Sequence, residues 1–218
     1  MSVAKTQNWV NDFLNLKMKV YEKELNAASE SIDTDLETVL NDVYELCFRS
    51  IGDMEKVLEG KPHLSINRPR LRSILWVELL GEVFRKHYSG NEHRVFTKYH
   101  KGNSDIEGIS ELMFDINVCG VKEIDGFTCV TKSVWQIESE FKIVNEDHKK
   151  TKSLILDFSK LLIGKSKNKM LITSESNRNI EDVFMDLKKV DGSGPVTIAY
   201  MTHPGKWASD SLVSIKEI

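Results

Sequence analysis

The chain has 218 residues, 40% of them hydrophobic and 29% charged, with a formal net charge of −3. That length and balance suit one ordinary domain, or one domain with a helical extension, and argue against wholesale disorder. A near-neutral charge argues against a protein that coats nucleic acid through a large cationic excess, but not against an enzyme whose site needs its own carboxylates.

Cys47, Cys119 and Cys129 are too few and too scattered for a disulfide framework, which fits a reducing compartment. The segment Met1-Ser2-Val3-Ala4-Lys5 has no apolar signal core. No stretch approaches the ~18 apolar residues of a membrane span. The expectation is a cytoplasmic protein with no membrane association.

Residues 1–66 read as a helical extension. Trp9, Phe13, Leu16 and Val20 recur at helical spacing. Asp33 or Thr34 is placed to cap a second helix, whose stripe is Leu36, Val39, Leu40, Val43, Cys47, Ile51, Met54 and Leu58. Gly60-Lys61-Pro62 ends it. The two helices suit either a packed hairpin or an arm through which a homodimer forms.

Residues 67–218 read as an α/β core. A helix from Pro69 to Tyr88 is apolar around much of its circumference, which predicts burial from several sides. Glu78 and Glu82 share one of its faces, where they either serve a site or pair with Arg85 or Lys86. Arg94–His100 reads as an edge strand, Leu112–Val118 as a strand, and Phe127–Thr131 as a short strand after the Asp125-Gly126 turn. Val134–Val144 alternates most clearly. Trp135, Ile137, Ser139, Phe141 and Ile143 fall on one face, with Gln136, Glu138, Glu140 and Lys142 on the other. Helices at Ser153–Ile163 and Asn179–Lys188 then alternate with strands at Lys169–Thr173, Val196–Met201 and Leu212–Ile215. The expected fold is a mixed central sheet flanked by helices.

The charged face of the 134–144 strand carries the chemistry. Two glutamates and a lysine on one strand face must be solvated, paired or bound to a cation. Mg²⁺ or Mn²⁺ answers that need with oxygen ligands, and phosphodiester hydrolysis uses such a metal together with a nearby ammonium group. Asp115 on the preceding strand supplies a third carboxylate.

Asp115, followed by Glu138-Ser139-Glu140-Phe141-Lys142, then a helix containing Asp157-Phe158-Ser159-Lys160 and a strand at Met170-Leu171-Ile172, resembles the restriction-endonuclease-like, PD-(D/E)XK nuclease superfamily. Phe114 stands where that family often has proline. The resemblance covers roughly residues 70–175. It implies a Mg²⁺- or Mn²⁺-dependent deoxyribonuclease, endonuclease rather than exonuclease, with DNA as partner. Asp115, Glu138 and Glu140 would hold metal, and Lys142 would assist the attacking water or the phosphate. Glu78 or Glu82 would be an accessory acid. The pair is Glu138-x-Glu140 or Glu140-x-Lys142, with the first preferred. Lys149, Lys150, Lys152, Lys165 and Lys167 are candidate phosphate contacts. The alternatives are a non-catalytic interaction protein, in which Asp115 and Glu138 would lie apart, and another metal-dependent phosphoryl hydrolase. Gly164-Lys165-Ser166 is not a P-loop, because it precedes a strand and has Ser159 where the first glycine belongs.

Overall fold

The computed structural model describes residues 3–59, 67–99, 114–143, 151–191 and 194–218. It divides into two compact units, Met1–His87 with Pro204–Asp210, and Tyr88–His203 with Ser211–Ile218.

The first unit is helical: α1 (Val3–Val20), α2 (Glu22–Glu30), α3 (Leu36–Arg49), α4 (Ile51–Glu59) and α5 (Arg68–His87). The sequence reading began the sheet domain at residue 67, whereas here α5 groups with the helices before it. Its apolar circumference explains this, since Leu71, Leu75, Trp76, Leu79, Leu80, Val83 and Phe84 are all buried. Where two helices were expected in the extension, its described residues form four. Ser50 ends α3, and its hydroxyl donates to Leu46 O at 2.9 Å, a back-bond that bends or interrupts a helix. Asp35, rather than Asp33 or Thr34, caps α3 by accepting from Thr38 N.

The expected stripe of α1 is also rotated. Leu16 and Val20 are exposed, while Val10, Phe13, Leu14 and Tyr21 are buried. Lys17 is buried with them, because its ammonium reaches Asp53 at 2.5 Å and lies near the Phe13 and Tyr21 rings. The returning segment packs Trp207 edge-on to Tyr44, whose hydroxyl bonds to Ala208.

The second unit holds one six-stranded mixed sheet among the described residues. Its strands are β1 (His93–Thr97), β2 (Ile116–Ile124), β3 (Phe127–Glu140), β4 (Asn168–Ser174), β5 (Thr197–Met201) and β6 (Ser214–Glu217), in that spatial order. β1–β2–β3 run antiparallel, β3–β4–β5 parallel, and β6 antiparallel to β5. α6 (Thr151–Ile163) connects β3 to β4, as a parallel pair requires, and α7 (Glu181–Asp191) connects β4 to β5. Both cover the face that carries Leu171, Ile198 and Tyr200, with Phe158 and Phe184 in contact at its centre.

Two expected strands, Phe127–Thr131 and Val134–Val144, are one strand, β3. They read as separate because β2 and β3 run beyond the rest of the sheet. β1 pairs only as far as Gly120, and β4 begins opposite Trp135. Between them Val121–Ile124 and Phe127–Val130 form a two-stranded ribbon with Phe127 70% exposed, so neither face imposes apolar alternation. Asp125 (φ 53°) and Gly126 (φ 82°) close it with the left-handed conformations that favour glycine and aspartate in hairpin turns. β2 begins at Ile116, and the expected Leu112 lies outside the described residues. β3 ends at Glu140, so Lys142 is not on the strand face.

Candidate acidic site on the sheet

Register brings the carboxylates together. Ile116 pairs with Ile137, so one further step places Asp115 opposite Glu138 on the same face. On its other side, Thr97 pairs with Ile116, and the next residue, Lys98, donates its backbone N–H to Asp115 O at 3.0 Å. The Lys98 ammonium then reaches Asp115 Oδ1 at 2.8 Å. Asp115 Oδ2 accepts from Ser139 N at 2.9 Å, which ties this carboxylate to the backbone of β3.

The helix after β3 completes the group. Lys160 Nζ on α6 lies 2.6 Å from Glu138 Oε1 and 2.7 Å from Asp157 Oδ1. Asp157 and Lys160 share a helix face because they are three residues apart. Glu138 is 2% exposed. Glu140, at the end of β3, accepts from Lys142 N at 2.9 Å and from its ammonium at 3.3 Å. The backbone at and just beyond it is braced by β4 and the turn that follows: Thr173 Oγ1 donates to Glu140 O, and Asn177 Nδ2 donates to both Lys142 O and Thr173 Oγ1. Glu138 and Glu140 thus sit at the carboxyl end of a parallel strand, where open α/β sheets bind ligands.

Four carboxylates face three ammonium groups here, and the electrostatics record the excess. Burial, and then the charge of Asp115, push the Glu138 carboxyl up to about 8, against the Lys160 hydrogen bond. Burial also raises Asp157, with Glu140 and Asp115 adding to it. Burial opposes the charge on Lys160, but hydrogen bonds to Asp157 and Glu138 outweigh it and hold the ammonium protonated. Lys98 is held protonated against burial in the same way, by Asp115. Lys98 and Lys160 are therefore secure in their charge, while Glu138 is not.

The donor chemistry fits a hard divalent cation, which is commonly held by one or two carboxylates together with substrate phosphate. No group of three His, Cys, Asp or Glu side chains among the described residues is arranged to hold a metal. Lysines occupy oxygens of Asp115, Glu138 and Asp157, so a cation would enter by exchange with them. The fit rests on the surplus of oxygen donors, not on a formed cage.

Asp115, just before β2, thus lies opposite Glu138, with Glu140 two residues further along β3. Lys142 is 61% exposed beyond the strand end. Lys149 and Lys150 lie outside the described residues. Lys152 is exposed in the first turn of α6. Lys165 and Lys167 are exposed but flank Ser166, whose hydroxyl bonds to Val134 O at 2.6 Å. That is four residues back along β3 from Glu138, roughly 13 Å. Gly164 beside them is structural, since a Cβ there would meet Gln136 Oε1 at 2.0 Å. Glu78 and Glu82 belong to the helical unit, where Arg85 pairs with both, at 3.5 and 3.0 Å, and Lys86 with Glu82. Lys98, Asp157 and Lys160 are the residues that sequence reasoning missed. The resemblance already included the helix containing Asp157 and Lys160 but gave neither side chain a role, and their i,i+3 spacing reads equally as a solvated helix face.

A cleft on the helical unit is lined by Ala27 and Leu46 with Glu24, Asp42, Glu45 and Arg49 around them, and Arg49 already pairs with Glu24 and Glu45. Among the described residues no helix is long and apolar enough to cross a membrane. No family model matches the chain, and neither a curated protein nor a solved structure matches it.

Proposed function

We propose that the sheet unit is a metal-dependent nuclease that hydrolyses phosphodiester bonds in DNA, on a restriction-endonuclease-like core. The observation that carries this reading is the convergence of Asp115 from just before β2, Glu138 and Glu140 from β3, and Asp157 with Lys160 from α6 on one face of the sheet. A non-catalytic scaffold has no need for a surplus of buried carboxylate, and it predicts Asp115 and Glu138 apart. The order of strand, strand, helix and strand through residues 116–174 supports the resemblance drawn from the sequence.

Asp115 and Glu138 would hold the ion, with Glu140 and Asp157 in support. When bound, Mg²⁺ or Mn²⁺ would lower the pKa of a water and offset charge on the attacked phosphate. The protein's own groups do the rest. Ser139 N fixes the Asp115 carboxylate, and the Thr173–Asn177 brace fixes the backbone around Glu140. Lys98 and Lys160 would offer positive charge to the phosphate oxygens as the water oxygen bonds to phosphorus and gives its proton to solvent, while the bond to the leaving sugar oxygen breaks and that oxygen takes a proton from solvent. DNA as substrate, an endonucleolytic cut and a homodimer that places two sites on two strands belong to the same proposal.

The test is cleavage of a panel of plasmid, linear and single-stranded DNA with Mg²⁺ or Mn²⁺, beside Asp115→Ala, Glu140→Ala and an EDTA control. Metal-dependent cutting that Asp115→Ala lowers by about 100-fold or more supports the reading. Cutting that both variants retain, or no cutting across the panel, favours the interaction protein.

A further inference from the structure

Lys142 follows the strand glutamates in sequence, yet its ammonium lies beyond the end of β3, largely exposed, and closes back on Glu140. The inward ammonium belongs to α6. Lys160 Nζ bridges Glu138 Oε1 and Asp157 Oδ1 at hydrogen-bond distance, with Glu138 almost wholly buried. A divalent cation on Glu138 would sit in the same pocket of negative potential. Two cations so close repel in a half-buried site, where solvent screens them poorly. One must leave, and the lysine is the mobile one, on a flexible four-carbon stem. Asp157, three residues earlier on the same helix, keeps it tethered nearby.

We propose that Lys160 is the working ammonium of the site, and that it competes with the divalent cation for Glu138, so that metal loading releases Lys160 toward the substrate phosphate. This rests on the metal-site reading above. It assigns to Lys160 the role that sequence spacing gives to Lys142.

The test is Mn²⁺ binding by calorimetry, with thermal melts and plasmid cleavage, on wild type, Lys160→Met, Lys160→Gln, Lys160→Arg, Lys142→Met and Asp115→Ala. Lys160→Met is expected to bind Mn²⁺ about tenfold more tightly than wild type, to gain more melting temperature on adding Mn²⁺, and yet to cleave ~100-fold more slowly. Lys160→Arg recovers part of the rate and keeps near-wild-type Mn²⁺ affinity. Lys142→Met stays near wild type in both. Lys160→Gln serves as the second neutral variant if the methionine form fails to fold. If wild type binds Mn²⁺ in an Asp115-dependent way while the neutral Lys160 variants bind it no more tightly, the competition is overturned and the metal site stands. The same holds if Lys142→Met is the variant that loses cleavage. If wild type shows no Asp115-dependent Mn²⁺ binding, the metal-site reading itself fails, and this inference falls with it.

Discussion

A carboxyl group buried beside another carboxylate keeps its proton longer than one in water. Glu138 is in that position, its carboxyl raised from 4.5 to about 8 by burial and by the charge of Asp115. In the unfolded chain it ionises near 4.5, so between pH 4.5 and 8 the folded state binds more protons than the unfolded state. Stability then falls as pH rises through that window. Thermal midpoints measured in EDTA from pH 5 to 8.5 are expected to decline with pH in the wild type and to decline less in Glu138→Gln. Equal slopes would contradict the burial of an under-compensated carboxyl. The cysteines give a second residue-level test. Burial pushes the Cys47 thiol well up and Cys119 up to about 12, whereas Cys129 is partly exposed on the ribbon. A native thiol assay should find Cys129 reacting first and the other two only on unfolding.

At the scale of elements, the end of β3 decides the site. Alternation through Phe141 and Ile143 suggested that the strand continues to residue 144, and period-two patterning was a sound guide from Trp135 to Glu140. Past Glu140 the chain finds side chains, Thr173 and Asn177, in place of another strand's backbone. Alternation cannot report that, so Lys142 was misplaced while Glu138 and Glu140 were legible. Asn177 is fully buried. Asn177→Ala is expected to cost about 1–3 kcal/mol by removing the donor to buried Thr173 Oγ1 and to Lys142 O, measured by denaturant unfolding, and to slow cleavage with it. Asn177→Ala with unchanged stability would remove the brace from the account. Gly164 is the second constraint. Its missing Cβ admits the Gln136 amide under the end of α6, so Gly164→Ala must displace that amide and should destabilise toward the low end of the ~1–3 kcal/mol overpacking range in denaturant unfolding. A glycine after a helix reads in sequence as an ordinary terminator, and this extra duty requires the packed sheet to be seen.

At the scale of the molecule, the alternation of helices and strands made the mixed sheet legible, because apolar periodicity survives wherever an element has one buried face. The division into units was less so. α5 looks like the first element of a sheet domain in sequence order, but its all-round apolar surface is satisfied among helices. The acidic site was half legible. Its carboxylates share a strand face that sequence displays, whereas the lysines that hold them come from the end of β1 and the middle of α6, and only register and the crossover bring these together.

The central claim is that one divalent cation binds at Asp115 and Glu138. Substoichiometric Mn²⁺ added to isotope-labelled protein tests it most directly, through paramagnetic broadening of amide signals. The expected result is selective loss of the Ile116, Ser139, Glu140 and Lys160 amides. The ribbon tip at Ile124–Phe127, about 30 Å along the strands from Asp115, should stay sharp, and Asp115→Ala should abolish the pattern. Uniform broadening, or a pattern centred elsewhere and unchanged in Asp115→Ala, would contradict the claim.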